Sequence, residues 1–175
     1  MYQPLLAKPA NEEITLKPTG LNKGETQFVR DLEQYIKNNK IDQEIYLLRN
    51  LTRGKGVGFF EENSFYPDFI LWLKEQQKQK IVFIDPKGIV RHSLTDPKLT
   101  LHKHLKENIQ QKFIDQNVTL DSYIISVTAL QTVYTRFNKR PETLAEENHL
   151  IFMYNVGERI NPKYMDTLFN QLFID

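Results

Sequence analysis

The sequence predicts an α/β fold in which a mixed β-sheet is flanked by helices. Three observations carry that expectation. Residues 24–39 and 98–116 repeat apolar side chains every three or four positions, the spacing of a helix with one buried face. Short runs at 44–51, 68–73, 80–84, 121–127 and 150–154 are dense in Ile, Val, Leu, Phe and Tyr, the composition of strands. Their order is helix, several strands partly antiparallel, helix, strand, strand, helix, which places helices against a sheet.

The bulk numbers fit one domain. The chain has 175 residues, 40% of them hydrophobic and 26% charged, enough for a core and ordinary for a globular protein. The absence of cysteine excludes a disulfide scaffold and a thiolate metal site, and it suits a cytoplasmic location. No apolar run approaches the roughly 18 residues that span a bilayer, so no membrane partner is expected. The first residues lack a secretory pattern. The net charge of +1 hides an uneven distribution. From 74 to 112 there are nine Lys/Arg against four acids, with three His; from 141 to 175 there are two bases against six acids. That suits a surface with one anion-facing side, although an ordinary solvated surface gives the same counts.

The elements follow in order. Residues 1–23 hold three prolines and Gly20 and read as an extended leader, with a short strand at 13–16. Such a segment joins a longer upstream region or lies on a neighbour; the domain proper is 24–175. In the helix 24–39, Phe28, Leu32, Tyr35 and Ile36 form the apolar stripe, and Asn38-Asn39 end it. Glu25 lies in its first turn, where the helix dipole favours an acid. After the strand 44–51 comes a glycine-rich turn, 53–58. It lacks the spacing of a phosphate-cradling Walker loop, so it links strands unless Arg53 and Lys55 touch a phosphate. Residues 59–61 begin another strand.

The runs 68–73 and 80–84 are separated by a short polar stretch and predict an antiparallel hairpin. Both are nearly continuous in apolar residues, as expected for burial on two faces. Pro86 has no N–H to give a ladder, so pairing should weaken beside Asp85. Helix 98–116 carries Leu101, Leu105, Ile109 and Phe113 on one side. His102, Lys103, Lys106, Gln110 and Lys112 lie on the other. A short helix is expected within 128–141, then a loop at 138–141, a last strand at 150–154, and a closing helix from Asn161-Pro162 to Phe173.

The chemistry concentrates in the hairpin. Asp68 starts one strand and Asp85 ends the next, and neighbouring strands lie about 4.8 Å apart. Two carboxylates that close repel unless a cation lies between them or one holds a proton. All-oxygen ligation suits Mg²⁺ or Mn²⁺. Lys87, two residues after Asp85, shares its sheet face. Such a set can hold a hard metal, orient a water and stabilise a pentacovalent phosphate. The alternative is a pair of surface acids at hairpin ends, since Asp-Pro and Lys-Gly are common turn pairs.

Pro67-Asp68, then Asp85-Pro86-Lys87, each after or before an apolar strand, resembles the signature of the PD-(D/E)XK nuclease superfamily. Over a longer span, 24–32, 66–73 and 83–88 resemble the C-terminal nuclease region of helicase-nucleases related to the Res subunit of type III restriction enzymes. The resemblance covers about 20 to 127. It implies a restriction-endonuclease-like core with helix–strand–strand–strand–helix–strand order. It implies Mg²⁺ or Mn²⁺ held by Asp68, Asp85 and the Pro86 carbonyl, with Glu25 supporting the metal directly or through water. Lys87 would position or activate the attacking water. The product would be a cut DNA phosphodiester, in restriction or phage defence, with an ATP-dependent helicase motor in the same parent chain or complex. A catalytically silent DNA-binding or docking module is the alternative. The sequence departs from the pattern in three ways. Asp85 stands where Glu is commoner, a proline lies between the acid and the lysine, and Gln110 and Gln111 have no tyrosine at the family's Gln-x-x-x-Tyr spacing. His102, Lys103 and Lys106 are candidate phosphate contacts or solvated surface; Arg91 and His92 lie just past the site.

Overall fold

The computed structural model describes residues 20–41, 43–51, 56–59, 65–155 and 159–173. The expected leader up to residue 19 with its strand at 13–16, Arg53 and Lys55 of the glycine-rich turn, and the strand start at 60–61 lie outside them.

Helix α1 spans Lys23–Asn39. It starts at a capping box: the Asn22 side chain accepts from the Glu25 backbone N–H at 2.9 Å, and Glu25 Oε2 accepts from the Asn22 N–H at 3.2 Å. These bonds satisfy N–H groups that a helix start leaves open. The helix ends at Lys40, whose φ of 48° is left-handed. Strand β1, Glu44–Arg49, and strand β2, Phe69–Glu75, follow, then β3, Lys78–Lys87. A two-residue turn at Gln76-Gln77 closes the β2–β3 hairpin. Both strands therefore run further toward the turn than the apolar runs alone predict.

Helix α2, Pro97–His104, passes into a π-helical turn, Leu105–Ile109, and a 3-10 helix, Gln110–Gln116. The continuous helix expected over 98–116 is thus three segments. The departure from α geometry coincides with a side-chain anchor. Gln110 donates to the Val118 carbonyl and accepts from the Leu120 N–H, both at 2.7 Å. It supplies partners to the start of strand β4, Val118–Ser126, whose next neighbour begins only opposite Ile124. Helices α3, Leu130–Phe137, and α4, Pro141–Asn148, precede β5, Leu150–Phe152, and α5, Tyr164–Leu172, closes the fold. The short helix within 128–141 is α3. Helix α4 begins at the end of the loop expected at 138–141 and occupies a stretch before the last strand for which the sequence predicts no element.

The strands lie in the order β1-β2-β3-β4-β5. The first three form an antiparallel meander, and β3–β4 and β4–β5 are parallel. The sheet is therefore mixed and flanked by helices, and α1 to β4 has the helix–strand–strand–strand–helix–strand order. On one face α1 and α5 bury Phe28, Leu32, Leu168 and Phe169 against Leu47, Leu71, Val82 and Ile125. The other face carries two apolar pools. Leu99, Val133 and Leu144 cover Ile124 and Phe152; Phe59, Phe65, Leu101 and Leu105 cover Phe83. Burial on both faces holds for Val82–Pro86 in β3 but not for β2, whose residues alternate buried and half-buried. Cover over the second face thins toward β1, where Tyr46 and Trp72 pack ring to ring at 5.5 Å.

Pairing does not weaken at Pro86: β3 stays in register with β4 through Lys87. The reason is which side Pro86 faces. The Val127 N–H donates to the Lys87 carbonyl at 3.0 Å, so Lys87 turns its peptide groups toward β4. Alternation along a strand turns those of Pro86 toward β2. There β2 pairs only from Phe69, opposite Ile84, so the missing N–H costs no ladder bond.

Candidate functional site

The β2–β3 register sets the site. Ile70 lies opposite Phe83 and Phe69 opposite Ile84. One further step places Asp68 opposite Asp85, on the face that carries Ile70 and Phe83. Lys87 Nζ donates to Asp85 Oδ2 at 2.8 Å, so the expected sharing of one face by Asp85 and Lys87 is met. Asp85 is 1% exposed, and its Oδ1 is buried with no hydrogen-bond partner among the described residues. A buried carboxylate oxygen left without a donor is costly.

Asp68 feels that arrangement. Burial, then the hydrogen bond and charge of Asp85, then the charge of Glu25, push its carboxyl up to about 8, against the opposing pull of Lys87. Burial alone would lower Lys87, but the charge and hydrogen bond of Asp85, with Asp68, outweigh it and raise the ammonium above its ordinary value. Lys87 is therefore a cation at neutral pH.

Glu25 is brought near this pair but is engaged elsewhere. Its carboxylate accepts from both the backbone and the side-chain amide of Asn22, and Arg49 Nη2 lies 3.8 Å away. Gly24 permits this placement of the helix start, since a Cβ there would fall 2.7 Å from Val127 Cγ1. Among the described residues no three His, Cys, Asp or Glu side chains are gathered as a metal cage. The donors that converge are the Asp68 and Asp85 carboxylates, with the Pro86 carbonyl turned toward the β2 side. That set, with one Asp85 oxygen lacking a partner, fits a hard divalent cation with remaining positions open to water or substrate.

Two groups at the site carry no sequence signal of their own. Asn50 is buried at the end of β1. Its N–H donates to the Asp68 carbonyl at 2.8 Å, and its side chain donates to the carbonyls of Pro67 at 2.8 Å and Val57 at 2.7 Å. It thereby holds the backbone at Asp68. Gly56 must be glycine beside it, because a Cβ would fall 2.1 Å from the Leu51 carbonyl oxygen. Lys98, in the first turn of α2, places Nζ 5.7 Å from the Phe65 ring centre, and Lys87 Nζ lies 5.8 Å from the same centre.

Other expected contacts lie elsewhere. His102 stacks on His149 with ring centres 4.0 Å apart, and His149 stacks on Tyr123 at 5.0 Å. His149 Nδ1 lies 3.1 Å from Asp121 Oδ1, and the Tyr123 hydroxyl donates to Asp121 Oδ2 at 2.8 Å. Lys103 and Lys106 are exposed. His92 Nδ1 lies 2.7 Å from Asp96 Oδ2, the N-cap of α2. Arg91 is exposed. No helix among the described residues is long and apolar enough to cross a membrane.

No protein-family profile matches the chain, and no curated protein or solved structure matches it at a significant level.

Proposed function

We propose that this chain is a divalent-cation-dependent endonuclease domain that hydrolyses DNA phosphodiester bonds, of the PD-(D/E)XK type, working with a helicase motor in restriction or phage defence. The observation that supports the chemistry best is the opposed pair Asp68 and Asp85, with one Asp85 oxygen buried and without a partner among the described residues and Lys87 bonded to the other. The elements around it, α1 to β4, follow the helix–strand–strand–strand–helix–strand order that the resemblance implies.

Asp68, Asp85 and the Pro86 carbonyl would hold Mg²⁺ or Mn²⁺, and Asp68 would release its proton on binding. When bound, the ion supplies Lewis acidity that polarises a phosphoryl oxygen and a water. Lys87 acts as a fixed positive charge: an ammonium donates hydrogen bonds and cannot accept a proton. Its part is to orient the attacking water and neutralise charge that grows on the phosphate. Asp85 fixes Lys87, and Asn50 fixes the backbone that carries Asp68. Glu25 acts through its negative charge near Asp68 and through Arg49. DNA would bind mainly through its phosphates, with an affinity that falls as salt rises.

One observation favours a second reading, a silent nuclease-like module that binds DNA or docks a partner: Glu25 is committed to its helix cap. Plasmid nicking with and without Mg²⁺ separates the two. Wild type cuts only with the ion, and Asp85→Ala and Lys87→Ala do not cut. Equal cutting by all three defeats the assignment, and an inert wild type that still binds DNA establishes the module.

A further inference from the structure

The carboxylate pair has a counterpart of opposite sign. Lys87 and Lys98 come from different elements, the end of β3 and the first turn of α2, yet both ammonium groups lie within 6 Å of the centre of one buried ring, Phe65. An aromatic face attracts a cation, but two cations on one ring repel each other. Lys87 has Asp85 as its partner at 2.8 Å. Lys98 has no ion pair with a carboxylate among the described residues, and burial together with the charge of Lys87 lowers its ammonium below the ordinary value. Lys98 is nonetheless held in place. Its backbone N–H donates to Asp96 Oδ1 at 3.0 Å, and Asp96 Oδ2 is held by His92 at 2.7 Å.

We infer that Lys87 and Lys98 form an anion subsite beside the carboxylate pair, and that Lys98 is a phosphate-binding residue. Opposed carboxylates are relieved by a cation and opposed ammoniums by an anion. The two subsites side by side match a phosphate group and its divalent counter-ion, bound together. That the anion is a phosphate of a DNA strand rests on the nuclease reading; the anion subsite itself does not. His92 and Asp96 are positioning residues for Lys98.

The test uses the whole chain and two probes: inorganic phosphate followed by ³¹P NMR, and a short DNA duplex followed by fluorescence anisotropy with Ca²⁺ in place of Mg²⁺. Lys98→Met should weaken duplex binding about tenfold and lower the slope of log affinity against log salt by about 1. Lys98→Arg should restore most of both, and melting temperatures report whether each variant folds. Loss in both arms assigns the subsite to phosphate generally. Loss in the duplex arm alone assigns it to strand phosphates, and loss in the inorganic arm alone to free phosphate. Wild-type values in both arms for a folded Lys98→Met overturn the subsite, even if wild type cuts DNA. Loss of binding in Lys98→Met with a wild type that never cuts upholds the subsite and defeats the nuclease reading instead.

Discussion

Asp85 and Asp121 lie on adjoining strands of one sheet and have opposite surroundings. Asp121 is answered on every side: it accepts from the Ser122 N–H at 2.8 Å, from the Tyr123 hydroxyl and from His149. Burial alone would raise Asp121, but these partners outweigh it and hold the carboxyl below its ordinary value. Asp85 is more deeply buried, faces a second carboxyl, and has one oxygen without a donor among the described residues. Both clusters look alike as sequence, acids and basic residues on apolar strands. A cluster whose members satisfy one another is complete as architecture, whereas two carboxyls buried face to face, one of them keeping its proton up to about pH 8, form a pair that a cation can relieve.

Four effects, read on five substitutions, would break or sharpen that contrast. The largest effect should come from Asp85→Asn. Cleavage should fall by more than the 10–100-fold typical of losing an outer partner of a metal ligand, while the fold survives; kinetics and thermal melts on the same preparation check both. Asp121→Ala should do the reverse. It strands the Tyr123 hydroxyl and His149, so stability should drop by about 1–3 kcal/mol in urea titration, with activity per folded molecule unchanged. If Asp121→Ala abolishes cutting without loss of stability, the contrast fails.

The third effect is one of pH, with opposite signs for the two clusters. His102 is lowered to about 4 by burial first, then by the charges of His149 and Lys103, with Asp121 and a hydrogen bond to the Glu147 backbone opposing. Its contribution is present above the unfolded value of about 6.5 and is lost as pH falls through about 4. Asp68 is raised, so in the metal-free protein its contribution is present below about 4 and is lost as pH rises through about 8. Stability curves of His102→Gln and Asp68→Asn, measured with EDTA, should each lack one of these slopes, and Mg²⁺ should flatten the Asp68 slope in wild type. The smallest effect belongs to Lys103→Ala, an exposed change that should alter cutting only slightly and show, if anywhere, as a shallower salt dependence.

The sequence made the core of this contrast half-readable. Asp68, Asp85 and Lys87 were placed by strand alternation and hairpin geometry, both local rules, and the structure brings them together. Pro86 keeps its strand in register, contrary to expectation, because composition does not reveal which side of a strand faces a neighbour. Helical spacing puts His102 with Lys103 and Lys106 as a candidate phosphate contact or solvated surface, but His102 stacks on His149. Its true partners, Tyr123, Asp121 and His149, are set by packing between α2, β4 and the start of β5, which no periodicity encodes. Asn50 and Lys98 escaped for the same reason: one buries its amide in a loop and the other meets Phe65 across the sheet end. Segment 98–116 keeps Leu101, Leu105 and Ile109 of its apolar stripe against the sheet but not Phe113, and its winding changes from Leu105, ahead of the Gln110 anchor to β4. The mixed sheet flanked by helices and the order of elements from α1 to β4, by contrast, followed from element types and short connections.

The central claim is that Asp68 and Asp85 form a divalent-cation site. Isothermal titration of wild type and Asp85→Asn with Mn²⁺ at pH 7.5 tests it most directly. Wild type should bind with proton release, seen as a heat that depends on the buffer's ionisation enthalpy, and Asp85→Asn should lose the binding. Equal binding by both proteins, or none by wild type, would contradict it.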